Sequence, residues 1–349
     1  MTSTSERSRS KLANLDSVID RIEETYDLII DYESCEHVAE CGFRGDNLAL
    51  AIVATDILIR EQPITLRGLM YRVVSAGWLP STDREHYTRI GRLMTRLREA
   101  GVVPFAWIVD GVRSTNKPGS WSGLADYART VRDCYRLDFW ARLPHYIHFI
   151  VEKDAVAGTL APVTREYDVS LSPIRGYSSL SFAHEIASTW SSIEKPIFCY
   201  FLGDFDASGF DLERDLREKL KQYCDKELFV SQSYGDPCNR QWWWEGAGKL
   251  QCVQFERVGV VESDFNEFDL LPLAVKDSDK RAKKFRDKYG DRCAELDAIP
   301  STALRERVRS IIESHIDIHR DEWDRLQAVE ASERETLDKF ICGMEGAAT

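Results

Sequence analysis

The sequence predicts an α/β protein with a basic helix-turn-helix module followed by a parallel β-sheet with helices on its faces, and helical segments at both ends. Three observations predict it. From His145 onward, short apolar runs alternate with helical patterns at the spacing of βαβ units. Between Thr65 and Ala100, two amphipathic patterns are joined by a short turn containing Gly77 and Pro80. The 349 residues, 43% hydrophobic and 11% aromatic, exceed one ordinary domain and supply a real core, which excludes a mostly disordered chain.

Taken in order, residues 1–12 are rich in Ser, Arg and Lys and are expected to be a disordered tail. Helical patterns follow over Leu15–Ile30 and Asn47–Arg60, joined by a loop holding Cys35 and Cys41. The first helix of the helix-turn-helix runs over Thr65–Ala76, and Ser81-Thr82-Asp83 offers N-cap chemistry for a second that ends before Gly101. Val102–Gly111 supplies candidate strands for a wing. Then come a strand at His145–Val151, a helix at Asp154–Tyr167, a strand at Val169–Ile174 and a helix at Leu180–Ser192. A strand at Ile197–Leu202 and a helix at Asp211–Lys226 complete the alternation. Residues 228–300 are expected as further strands and loops, with Ala294–Pro300 a strand or turn. A helix from Ser301 carries Leu304, Val308, Ile311 and Ile312 on one stripe. The expected division is a tail at 1–12, N-terminal helices at 13–62, the basic module at 63–143, the sheet at 144–300 and C-terminal helices at 301–349.

The net charge of −12 argues against a protein that coats nucleic acid without discrimination. The charge is uneven, however. Asp56–Tyr146 holds 14 Lys and Arg against 9 Asp and Glu, a net of +5 inside a chain that is otherwise −17. Such a basic module fits a focal phosphate-binding site. The nine cysteines include no CxxC pair, and are expected to be buried thiols in a reducing cytosol. No run approaches 18 uncharged apolar residues and the start is polar, so a soluble cytoplasmic protein with no membrane association is expected.

Ligands of open α/β sheets sit beyond the carboxyl ends of the strands. Glu152 ends one predicted strand, and Asp204 and Asp206 end another. An Asp-x-Asp in extended backbone points both side chains the same way. Three hard oxygen donors, with no His or Cys beside them, suit Mg²⁺. Each aspartate alone is as readily a helix N-cap. The pattern gains meaning as a set: Val151-Glu152-Lys153-Asp154-Ala155 after one strand, Gly203-Asp204-Phe205-Asp206-Ala207-Ser208-Gly209 after another.

These two segments resemble the TOPRIM fold and, more narrowly, the A subunit of topoisomerase VI and its meiotic double-strand-break relatives. The resemblance implies a winged-helix domain followed by a TOPRIM domain, with Mg²⁺ bound by Glu152, Asp204 and Asp206. Ala207 stands where those proteins commonly carry Pro. The Gly176-Tyr177-Ser178 turn lacks their lysine, so that Arg175 becomes the DNA-binding candidate there. These departures suggest a divergent branch of the small stand-alone "mini-A" type.

The family's nucleophile is a tyrosine a few residues after an arginine, which Thr65-Leu66-Arg67-Gly68-Leu69-Met70-Tyr71 resembles. A helical wheel at about 100° per residue sets Tyr71 roughly 140° from Leu66, on the polar arc with Arg67 and away from the Leu69/Met70/Val73 stripe. Tyr87, the rival, falls beside the Ile90/Met94 stripe and is expected in the core. Arg89, Arg92 and Arg96 share a face of the second helix, where a groove-binding element contacts DNA phosphates.

The expected function is a Mg²⁺-dependent DNA transesterase or topoisomerase, with Tyr71 forming a 5′-phosphotyrosyl link and Arg67 stabilising the phenolate or gripping the phosphate. The resemblance implies a homodimer. Gly246-Ala247-Gly248-Lys249 lacks the first glycine of a phosphate loop, so ATP-driven strand passage requires a separate ATPase of the B-subunit type. The resemblance implies that such a partner would dock on the N-terminal helices, which equally suit dimer packing. Two other readings use the same residues: a TOPRIM nuclease with metal-activated water, and a non-catalytic DNA-binding protein on an inherited scaffold. Trp242-Trp243-Trp244 fits core or dimer packing better than base stacking.

Overall fold

The computed structural model describes residues 15–109, 120–174, 180–230, 252–276 and 279–347. The chain is α/β, organised around a five-stranded parallel sheet. Its strands are β3 (Tyr146–Val151), β4 (Ser170–Pro173), β5 (Ile197–Leu202), β6 (Glu227–Val230) and β7 (Cys252–Arg257), in the order β4-β3-β5-β7-β6. β3 and β5 alternate their side chains between two cores, as a period of two dictates. Ile147, Phe149, Phe198 and Tyr200 face one, while Ile150, Cys199 and Phe201 face the other. A sheet buried on both faces reads in the sequence as unbroken apolar runs, which is why these strands were legible.

The N-terminal part is helical. Residues 15–23 form α1; α2 is Tyr32–Glu40, α3 Asp46–Glu61, α4 Leu66–Ser75 and α5 Arg84–Glu99. The helix expected to reach Ile30 stops early because buried Asp56 of α3 takes the backbone N–H groups of Ile29 and Ile30, at 2.8 and 2.9 Å, and the Tyr26 hydroxyl. The loop expected around Cys35 is instead the helix α2, capped by Asp31. α5 begins where its cap predicts, with Asp83 accepting from His86 N, and α4 starts at Leu66 because Thr65, expected as its first residue, is its cap and accepts from Gly68 N. α1 to α5 share one core, in which nearly every residue of α3 from Leu48 to Leu58 is buried.

The wing differs from expectation. β1 (Ile64–Thr65) pairs in parallel with β2 (Ile108–Val109), and Phe105–Trp107 is a turn of 3₁₀-helix. No hairpin forms among the described residues. After β2 come α6 (Leu124–Cys134) and α7 (Phe139–Arg142), then α8 (Asp154–Glu166), which packs on the β1–β2 pair. A Cβ on Gly158 of α8 would lie 2.3 Å from Val109, so glycine sets how closely the two parts approach.

α9 (Leu180–Ser192) and α10 (Ala207–Tyr223) cover the sheet. The segment after β7 is more helical than expected, with α11 (Asp264–Glu267) and α12 (Ala282–Tyr289). α13 (Ser301–Asp317) buries Leu304, Val308, Ile311 and Ile312 as its stripe predicts, and α14 is Arg320–Ala347. Among the described residues no disulfide forms, no helix is long and apolar enough to cross a membrane, and Cys134 and Cys342 are exposed rather than buried.

Candidate active site

The chain order of the sheet reverses between β3 and β5: β4 lies outside β3 on one side, and β5 starts the other half. Crossover helices leave in opposite directions at such a point and open a crevice at the strands' carboxyl ends. Val151 pairs with Leu202 there, so the next residues, Glu152 and Gly203-Asp204, stand side by side on the crevice floor.

Their geometry is fixed by backbone contacts. Glu152 N donates to Leu202 O at 2.9 Å, and the Glu152 Oε2 accepts from Asp204 N at 2.9 Å. Asp204 Oδ1 accepts from Leu296 N at 2.7 Å, and its Oδ2 lies 2.9 Å from Lys153 Nζ. Asp206 caps α10, accepting from Gly209 N at 2.6 Å. A Cβ at Gly209 would sit 2.3 Å from the Asp204 carbonyl, so that glycine lets the helix start against the acidic turn. For this reason α10 begins at Ala207 rather than near Asp211. Arg257 braces the turn from beneath. Fully buried, it pairs with Glu213 at 2.9 Å and donates to the carbonyls of Gly203 and Asp204, with Phe210 stacked 4.2 Å away.

Electrostatics mark the floor as crowded with negative charge. Burial first, then repulsion from Asp206, pushes Glu152 up, against its hydrogen bond from Asp204 N and the pull of Lys153. Asp204 is also raised, by burial and by Glu152, against Lys153. Among the described residues no three His, Cys, Asp or Glu side chains close into a metal cage. The expected trio is therefore divided, with Asp204 committed to Lys153 and to the Leu296 backbone. Mg²⁺ asks for less than a cage: one or two carboxylates, several waters and phosphate oxygens. Glu152 and Asp206, near enough for their charges to repel, fit that demand.

Tyr71 departs from expectation in one respect. It does face away from the stripe of its own helix, since Leu69 and Val73 pack in the N-terminal core while Tyr71 packs in the core of the sheet. The arc opposite the stripe is not solvent, however. Tyr71 is 2% exposed, and its hydroxyl is buried without a hydrogen-bond partner among the described residues. Burial first and Glu295 second push the phenol up to about 12, with Arg67 and Lys153 opposing. The Arg67 guanidinium carbon stands 5.8 Å from the tyrosine ring centroid and grips the Glu295 carboxylate with both Nε and Nη2. Tyr87, expected in the core, is half-buried and more accessible than Tyr71.

The arginine stripe of α5 is split. Arg92 is exposed. Arg89 donates to Asn47 Oδ1 in the first turn of α3 at 2.8 Å, and Arg96, also exposed, lies 5.1 Å from the ring of Phe43 in the loop before α3. Arg175, Trp242-Trp243-Trp244 and Gly246–Lys249 lie outside the described residues.

Four residues escaped sequence reasoning: Lys153, Arg257, Glu295 and Asp297. Lys153 Nζ touches Asp204, Glu295 at 3.4 Å and Asp297 at 3.1 Å. Burial works against its charge, but Asp204, Asp297 and Glu295 outweigh it and push its pKa up. The signal for the last two was Glu295-Leu296-Asp297, a second acid-x-acid pattern like that of Asp204 and Asp206. No protein-family model matches the chain, and no curated protein matches it.

Proposed function

We propose that the chain is a Mg²⁺-dependent DNA transesterase of the topoisomerase VI A type, with Thr65–Val109 as the core of a winged helix and β3–β7 as a TOPRIM sheet. One observation carries the reading. The Arg67 guanidinium, 5.8 Å from the Tyr71 ring centroid, and the Lys153 ammonium, 2.9 Å from Asp204 at the switch point, share one carboxylate, that of Glu295, which ties the tyrosine to the acidic turn.

In this mechanism Tyr71 Oη forms a bond to a backbone phosphorus and the bond from phosphorus to the 3′-oxygen breaks. The phenol loses its proton, and the departing 3′-oxygen gains one. The phosphotyrosyl link keeps the energy of the phosphodiester, so the released hydroxyl can reseal the strand. A neutral phenol is a poor nucleophile near pH 7, and Arg67 and Lys153 are the cations available to favour the phenolate. Glu152 and Asp206 would hold Mg²⁺, which when bound neutralises phosphate charge and the leaving oxygen. Arg257 and the Leu296 backbone keep the acidic turn in place. Because the hydroxyl is inaccessible, DNA reaches it only when α4 and the sheet edge part. A homodimer that presents the tyrosine to the partner's carboxylates, and a separate ATPase subunit, belong to the same proposal.

Burial of Tyr71 also favours a second reading, hydrolysis at the carboxylates by metal-activated water. Supercoiled plasmid incubated with Mg²⁺, with and without ATP, then quenched in SDS and compared before and after proteinase, separates the two. The transesterase gives protein-linked cut DNA that Tyr71→Phe abolishes. Glu152→Gln and Asp206→Asn lower cleavage on the order of 10²-fold or more. Cut DNA without a link, undiminished in Tyr71→Phe, overturns the transesterase in favour of hydrolysis.

A further inference from the structure

The seam between α4 and the sheet is filled by a short acidic segment of the chain itself. Ala294 is bridged to Phe205 on the acidic turn, Phe205 N donating to Ala294 O at 2.8 Å and Ala294 N to Phe205 O at 3.1 Å. From that anchor, Glu295 and Asp297 reach across the seam. Glu295 takes Arg67 in a two-pronged pair and approaches Lys153, while Asp297 takes Lys153 and the Thr65 hydroxyl. The planar fork of a guanidinium fits a carboxylate and a phosphate with the same geometry. Arg67 keeps 40% of its side chain exposed, so an incoming anion can reach it from outside while Tyr71 below stays covered.

We infer that Arg67 and Lys153 form a phosphate-binding pair that Glu295 and Asp297 occupy as built-in phosphate mimics, so that a DNA phosphate must displace this acidic segment to bind. The inference rests on the seam being the place where DNA is cut, but its consequence is read in binding and requires no cleavage. The charge balance supports displacement: two cations face Glu295, Asp297 and Asp204 in direct contact, and one carboxylate is in excess. With Glu295 in place the Nε and Nη2 of Arg67 are taken, and with Glu295 displaced the phenol loses the neighbour that, after burial, does most to raise it.

Fluorescence anisotropy of a labelled DNA duplex, in EDTA and over a series of NaCl concentrations, tests this with the full-length protein. Glu295→Gln is expected to tighten binding about 3- to 10-fold, and to steepen the dependence of log K on log salt by about one phosphate contact. The gain should vanish in an Arg67→Ala background. It should also exceed that of Glu262→Gln, an exposed carboxylate that pairs with Arg292 rather than with Arg67 or Lys153. A gain that persists without Arg67, or one matched by Glu262→Gln, is a general charge effect and overturns the inference, as does no gain. Should Glu295→Gln melt below the assay temperature, Asp297→Asn with and without Lys153→Gln reads the same competition. Loss of the coupling with protein-linked cleavage intact removes the mimic alone. Intact coupling with no cleavage removes the transesterase alone.

Discussion

At the scale of single residues, the seam holds groups that a fold selected only for stability would not keep. Among the described residues the Tyr71 hydroxyl is buried without a hydrogen bond of good geometry, although Arg67 beside it still pulls on the phenol, and a buried polar group left without a partner costs on the order of 1–3 kcal/mol. Tyr71→Phe removes that cost while keeping the ring in its core. It is therefore expected to stabilise the protein by about 1 kcal/mol, read as a higher urea midpoint at unchanged slope, while abolishing any protein-linked DNA. A destabilised Tyr71→Phe would mean that the hydroxyl makes a bond in solution, and would take away the argument that it is kept for chemistry. The sequence told half of this in advance. The wheel of α4 separated Tyr71 from Leu69 and Val73, but a wheel reports only which side a residue takes. What lies on that side comes from Glu295–Ala298, more than 220 residues further on, where no local pattern reaches.

Among elements, legibility followed burial. β5 and α9 have the predicted ends, because an apolar run bounded by Pro196 and Gly203, and a helical pattern after Ser178-Ser179, leave little choice. α2 and α12 were missed because each buries only two side chains, Cys35 and Val38 in one, Ala282 and Phe285 in the other, too few to print a stripe. α5 was legible as a helix but not as a surface. Its buried face, Ile90, Leu93, Met94 and Leu97, was predicted, and the contacts of Arg89 with Asn47 and of Arg96 with Phe43, at the start of α3, were not. The three arginines therefore should not contribute equally to DNA binding. Arg92→Ala is expected to weaken binding at all sequences alike and to lower the salt slope by about one, whereas Arg89→Ala and Arg96→Ala change the slope by clearly less. A salt series by anisotropy on the three variants decides it. Equal effects would mean that these contacts give way to DNA, and no effect of Arg92→Ala would remove α5 as a phosphate-contacting helix.

For the molecule as a whole, acid should act through β3, the neighbour of the sheet's central strand β5. His145 lies just before β3, among Phe198, His315 and His319 on one face of the sheet, and β3 itself carries His148 on the other face. His148 Nδ1 accepts from Trp190 Nε1 at 3.0 Å, which fixes the neutral ring with its proton on Nε2 toward Ser172 Oγ, 2.9 Å away. A proton added at Nδ1 would oppose the indole donor. Burial lowers His148 to about 4 and His145 to about 3. Both folded-state values lie below the unfolded value near 6.5, so the unfolded chain binds more protons below that pH. The stability these residues contribute is complete above pH 6.5 and is lost as pH falls toward 4 and 3. For His148 the full loss is about 3 kcal/mol. Asp204 and Glu152 work the other way, since their raised pKa values make protonation on acidification favour the folded state, against the three lowered histidines His145, His148 and His319. Because His148 on β3 and His145 just before it lie where the two halves of the sheet meet, the loss should appear as one cooperative transition. The melting temperature, followed from pH 7.5 to 4.5 in EDTA, is expected to fall steadily below pH 6.5, and His148→Gln to flatten part of that fall. A wild-type profile that stays level across this window, or a His148→Gln profile as steep as the wild type, would show that the ring is not held neutral by burial at all.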